Sequence, residues 1–202
     1  ELDSEYLVFS ANSGEVASFA VEKIIALFET KKEVSILYGD EDYLNHEGVR
    51  YEPWFKPDWS PDTLLNSFYF GGLFAIRKQR FLDICWRKDT DYWNNIYDFV
   101  LQATELVKQE EICHLSDILF HNHMAFQFDC VPEQIVIGAT RSFLPVKEDA
   151  LARRKTKGEI VYDQEFDMNA VIYETTKNPM VSILIPSKDN PDVLEVCVSS
   201  IR

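Results

Sequence analysis

No apolar run in the 202-residue sequence approaches the roughly 20 residues a helix needs to cross a bilayer. Glu1 to Glu5 carry neither the basic nor the apolar stretch of a secretory leader, so the chain reads as soluble. Positive charge is also scarce: 20 Lys and Arg face 34 Asp and Glu, a formal charge of −14 that repels phosphate backbones and anionic lipid at long range. Nucleic acid is therefore not an expected partner. Cys85, Cys113, Cys130 and Cys197 form no C-x-x-C pair and no metal-finger spacing, which points to reduced, buried thiols in a cytosolic protein. Internal repeats and low-complexity segments are absent. An initiator Met is missing too, and a strand-like run begins within a few residues, so the sequence is expected to be a piece of a longer chain.

What is present is a globular composition: 46% hydrophobic and 13% aromatic residues suffice for a core. Glu5 to Ser10 is a short β-prone run that ends in the turn-rich Ala11-Asn-Ser-Gly14. From Val16 to Thr30, apolar residues at three- and four-residue spacing predict a helix with one apolar face. Val34 to Tyr38 is a second strand, and it stops at Gly39-Asp-Glu-Asp42, placing three carboxylates where a parallel strand delivers ligands. Residues 45 to 66, with Pro53, Pro57 and Pro61 and exposed-looking Trp54, Phe55 and Trp59, read as loop. Phe68 to Arg77 is a strand interrupted by Gly71-Gly72, where a side chain would obstruct something close by. Asn94 to Gln109 has helical spacing, and Ile112 to Phe126 is β-prone and holds His114, His121 and His123. Phe143 to Lys157 reads as a charged amphipathic helix with Gly158 as its C-cap, followed by the strand-like Ile160 to Tyr173. Met180 to Ile185 is the most hydrophobic strand signal, and Pro186 to Pro191 leads it into a last helix.

The stretch Pro179 to Leu194 resembles the opening strand, loop and helix of family 2 glycosyltransferases, of the GT-A type. Leu37-Tyr-Gly-Asp-Glu-Asp42, Phe55-Lys-Pro-Asp-Trp-Ser-Pro61, Phe74-Ala-Ile-Arg77, Tyr97-Asp-Phe-Val-Leu101 and Leu119-Phe-His121 are similar, in that order, to the other half of such a domain. They match the tandem-domain subgroup that builds bacterial surface polysaccharides such as rhamnose-containing chains. The resemblance implies an α/β fold with a mixed, largely parallel sheet flanked by helices. Residues 1–130 would be the C-terminal part of a first domain, 131–178 a linker helix and strand, and 179–202 the first strand and helix of a second. It implies a nucleotide-sugar donor, a glycan acceptor and a following transferase domain as partners, at the cytoplasmic face of the membrane. By the same resemblance Pro186, Ser187 and Asp189 lie on the loop that contacts the donor's nucleotide.

Such an enzyme stabilises a departing nucleoside diphosphate, usually with Mg²⁺ or Mn²⁺ on a D-x-D pair, and uses a carboxylate base. In this alignment the D-x-D falls at Ala11 and Ser13 and the base at Ile96, so the domain reads as degenerate. The alternative is a non-catalytic module that keeps the fold as scaffold or acceptor binder. Asp98 reads as a helix-start or packing residue. Asp40 and Asp42, with Glu41 between them, could gather a cation instead, although adjacent residues alternate in direction on an extended chain. His121 stands where related enzymes sometimes supply a third metal ligand, and His123 would share its strand face; for each, a satisfied or solvent-facing histidine is the other reading. Trp54 and Trp59 beside Lys56 could stack on sugar rings of an acceptor, or simply pack their loop. Val181 to Ile185 is expected to add to the sheet of the first domain.

Overall fold

The computed structural model describes residues 3–82, 84–87, 92–123, 143–163, 168–175 and 178–201. Six strands form the main sheet: β1 (Tyr6–Ser10), β2 (Gly14–Val16), β3 (Ile36–Leu44), β4 (Arg50–Trp54), β5 (Leu73–Arg77) and β6 (Ile112–Asn122). Their order is β1-β5-β3-β6-β2, with β4 added to β3. The mixed α/β architecture is as expected. Its parallel share is the central pair β3–β6, and the pairings β1–β5, β3–β5, β3–β4 and β2–β6 are antiparallel.

Alternation along the strands builds two cores. Ile36, Tyr38, Phe74 and Ile76 face one side, where they meet α2 (Pro61–Asn66), α3 (Tyr92–Glu105) and α4 (Leu144–Arg154). Leu37, Leu73 and Ala75 face the other, against Ala20, Ile24 and Phe28, the four-residue stripe of α1 (Ala20–Thr30). Arg77 extends from β5 to the end of α1 and donates to the carbonyls of Phe28 and Lys31, where a cation suits the helix dipole.

The stretch read as loop contains β4 and α2. Pro53 is tolerated because β4 pairs, among the described residues, with β3 alone, and Pro61 stands in the first turn of α2, where its missing N–H costs nothing. Gly158 does not cap α4. Lys155 ends that helix in a left-handed conformation (φ 52°), and Gly158 opens β7 (Gly158–Asp163), the partner of β8 (Met168–Tyr173). Fully buried Lys147 ties this hairpin to the core, donating to the carbonyls of Asn66 (2.7 Å) and Asn169 (3.0 Å).

One expectation is overturned. Val181 to Ile185 pairs with no strand among the described residues: residues 178–190 have no regular secondary structure, and Met180 and Leu184 are 96% and 91% exposed. The reason is that β5 is flanked by β1 and β3, and β3 by β6 and then β5 or β4, which leaves no edge beside those strands. The segment ends in α5 (Pro191–Ser200), which buries none of its residues.

Candidate functional site

The acidic cluster lies within β3 rather than beyond its end. One edge of β3 is shared: Ile36 to Tyr38 pair with β5, and Glu41 to Leu44 with β4. At the handover, around Gly39 and Asp40, the register with β6 shifts twice, as a bulged strand requires. Asp40, Glu41 and Asp42 are all buried there, and each turns to a different set of donors.

Asp40 Oδ1 accepts the backbone N–H of Lys56 (2.8 Å) and bonds His114 Nε2 (2.8 Å). The His114 ring stacks on Tyr38, and its Nδ1 lies 3.3 Å from solvent-exposed Asp58. Glu41 Oε2 accepts from Gly72 N–H (2.8 Å) and pairs with Lys56 Nζ (3.2 Å), which also donates to the Phe70 carbonyl (2.7 Å). Burial pushes the Lys56 ammonium below its usual range, against the opposing pull of Glu41 and Asp40. Gly71 passes this pair at φ +69°, and a Cβ there would lie 2.4 Å from Glu41 Oε2 and 2.6 Å from Lys56 Nζ. A Cβ on Gly72 would meet the Phe120 ring at 2.4 Å, so the two glycines make room for a buried ion pair and a neighbouring ring. Asp42 bonds His121 Nδ1 (2.5 Å) and Arg50 Nε (2.6 Å).

The proposed metal ligands Asp40, Asp42 and His121 are thus engaged with protein partners. Both Asp42 oxygens and His121 Nδ1 are taken, and a guanidinium stands where a cation would approach. Among the described residues no group of three or more His, Cys, Asp or Glu side chains is disposed to hold a metal ion.

Ala11 is buried and donates its N–H to Gly72, while the Ser13 hydroxyl oxygen is buried without a hydrogen-bond partner among the described residues. Ile96 packs in the larger core. Asp98 is not at a helix start: it lies inside α3, 4% exposed, and clamps Arg87 (2.9 Å) and Arg153 of α4 (3.2 Å). Trp54 and Trp59 are half-buried against the larger core, Trp54 under the Lys56 ammonium (5.2 Å) and Trp59 edge-on to Phe70, while Phe55 is exposed. Pro186, Ser187 and Asp189 lie on the exposed segment before α5. Cys85 is exposed and Cys113 and Cys197 are half-buried, all three free, which corrects the expectation of buried thiols; Cys130 lies outside the described residues.

The ion-pair roles of Lys56 and Arg50 were not read from the sequence. The partners are 8 to 15 residues apart for Arg50–Asp42 and Lys56–Glu41, joined by the β3–β4 turn, and a hairpin signal there would have found them. His114 and His121 reach their aspartates across 74 and 79 residues, which no local pattern reveals. No helix among the described residues is long and apolar enough to cross a membrane.

No family model matches the chain. It is 26% identical over 197 residues, 98% of its length, to the O-antigen biosynthesis protein RfbC of Myxococcus xanthus, and 24% identical over 184 residues, 90% of its length, to the uncharacterized protein y4gI of Sinorhizobium fredii. The chain spans 15% and 20% of the lengths of these relatives.

Proposed function

We propose that this chain is part of a glycosyltransferase of bacterial polysaccharide biosynthesis, of the GT-A type and family 2 group, which moves a sugar from a nucleotide-diphosphate donor to a surface glycan at the cytoplasmic face of the membrane. The observation that carries the proposal is similarity along 98% of the chain to an O-antigen biosynthesis protein. In this reading residues 1–130 end one transferase-like domain, 131–178 join it to the next, and 179–202 begin that next domain. Pro186, Ser187 and Asp189 then serve the donor's nucleotide, and Trp54 and Trp59 the acceptor.

The domain made by β1 to β6 is degenerate in this account. Ala11 has no anionic oxygen, and Ile96 cannot accept a proton. Mg²⁺ or Mn²⁺, which the resemblance implies, does not fit Asp40, Asp42 and His121 as they are arranged, because His121 and Arg50 take both oxygens of Asp42, and His114 and the Lys56 N–H take Oδ1 of Asp40. No step is assigned to a metal in this chain. The same engagement favours a second reading, a scaffold or acceptor-binding module whose carboxylates hold the sheet together.

Calorimetric titration with uridine and deoxythymidine diphosphates, each with and without Mn²⁺, tests the degenerate reading. Silence is expected. Saturable, Mn²⁺-dependent heat that survives Asp189→Ala, or measurable sugar transfer by the chain alone, would overturn it.

A further inference from the structure

One face of the sheet carries a row of ionisable side chains across four strands. Arg50 of β4 and Asp42 of β3 are followed by His121 of β6, which lies in register with Asp42 on one side and with Glu15 of β2 on the other. His123, two residues on, pairs with Glu15 (2.9 Å). Asp42 is the buried member, its side chain 3% exposed, and His121 is 15% exposed.

A carboxylate only accepts hydrogen bonds, so in the 2.5 Å contact with Asp42 it is His121 Nδ1 that carries the proton. That places a proton on Nδ1, and in the neutral ring it leaves Nε2 as an acceptor with no hydrogen-bond partner among the described residues. Arg50 holds the second oxygen of Asp42, so the carboxylate cannot turn away from the imidazole without breaking an ion pair. A part-exposed imidazole, backed by a fixed, buried carboxylate and without a described partner at its far nitrogen, can accept from a hydroxyl.

We propose that Asp42 and His121 form a hydroxyl-binding site for a glycan: His121 Nε2 accepts the hydrogen bond of a sugar hydroxyl, and Asp42, held by Arg50, sets the orientation and tautomer of the ring. The proposal rests on the polysaccharide-biosynthesis reading and gives these two residues a role that needs no metal.

The test is a nuclear magnetic resonance titration of the whole ¹⁵N-labelled chain with a short rhamnose-containing oligosaccharide, following the histidine ring nitrogens and the indole N–H groups. A saturable movement of the His121 Nε2 signal is expected, with exposed His46 as the internal reference. In His121→Asn the side-chain amide replaces Nδ1–H toward Asp42 and nothing replaces Nε2. This variant should keep the melting temperature and lose about tenfold in affinity, the worth of one hydrogen bond. His121→Gln, whose amide reaches nearer the Nε2 position, should retain more of the binding. Undiminished binding by His121→Asn would overturn the proposal. Movement at Trp54 and Trp59 with His121 silent would overturn it and leave acceptor binding intact, whereas no movement anywhere would remove acceptor binding from the functional reading and this site with it.

Discussion

Two stretches of the molecule sort their side chains in opposite ways. Asp40, Glu41 and Asp42 lie in the middle of a sheet at 2 to 3% exposure, while Met180 and Leu184 stand above 90% exposed. Hydrophobicity would have reversed the two. The difference is in partners: each carboxylate is met by a cation, an imidazole or a backbone N–H, and a charge so paired tolerates burial. The apolar run has no open edge beside β3 or β5, where it was expected to add, and an extended strand without a partner leaves its own backbone unpaired.

The comparison breaks most visibly if one partner is taken away. Lys56→Met strands Glu41 in the sheet and should lower unfolding stability by about 3–5 kcal/mol in urea titrations, and the double variant with Glu41→Leu should recover much of it. An unchanged midpoint for Lys56→Met would mean that Glu41 draws nothing from its ammonium. Lys147 sharpens the contrast from the cationic side. Burial lowers it from 10.5 to about 8. Between those two values the unfolded chain holds a proton that the native state has released, so stability rises with pH across that interval by up to about 3 kcal/mol. Below it both states are protonated and the cost of burying the charge is borne in full. Urea midpoints on either side of the interval should show the rise in the native sequence and lack it in Lys147→Met. Gly71→Ala, which forces a methyl into a left-handed turn against the Glu41–Lys56 pair, should cost about 2 kcal/mol, read from the same titrations. At the other extreme, Leu184→Ser should change the unfolding of the sheet by less than about 0.5 kcal/mol; a larger loss would reveal packing onto the rest of the chain.

The helices were legible because α1 and α4 bury residues at four-residue spacing: Ala20, Ile24 and Phe28 in the first, Val146 and Ala150 in the second. The mixed α/β class followed from their alternation with β-prone runs. β4 and α2 were hidden by their prolines, which read as breakers although Pro53 lies on an edge strand and Pro61 opens a helix. At the site, the residue types were visible and their pairing was not. The notion that three adjacent acids diverge held, yet which partner each one meets depends on a parallel pairing between β3 and β6 and on two register shifts, and neither leaves a local trace. Met180 to Ile185 shows the opposite failure: the composition of a strand was present, and the neighbour that would make it one was not.

Because Ile36 is in register with Ile112, the central pair of the sheet joins positions 76 residues apart. At a synthesis rate of about 5–20 residues per second, β6 leaves the ribosome roughly 4–15 s after β3. For that interval the nascent chain carries Asp40 and Asp42 without His114 or His121, and Phe120 is not there to fill the space beside Gly72. Newborn β3 thus carries Asp40 and Asp42 before the imidazoles that meet them exist, and the central pair of the sheet can close only once β6 has emerged.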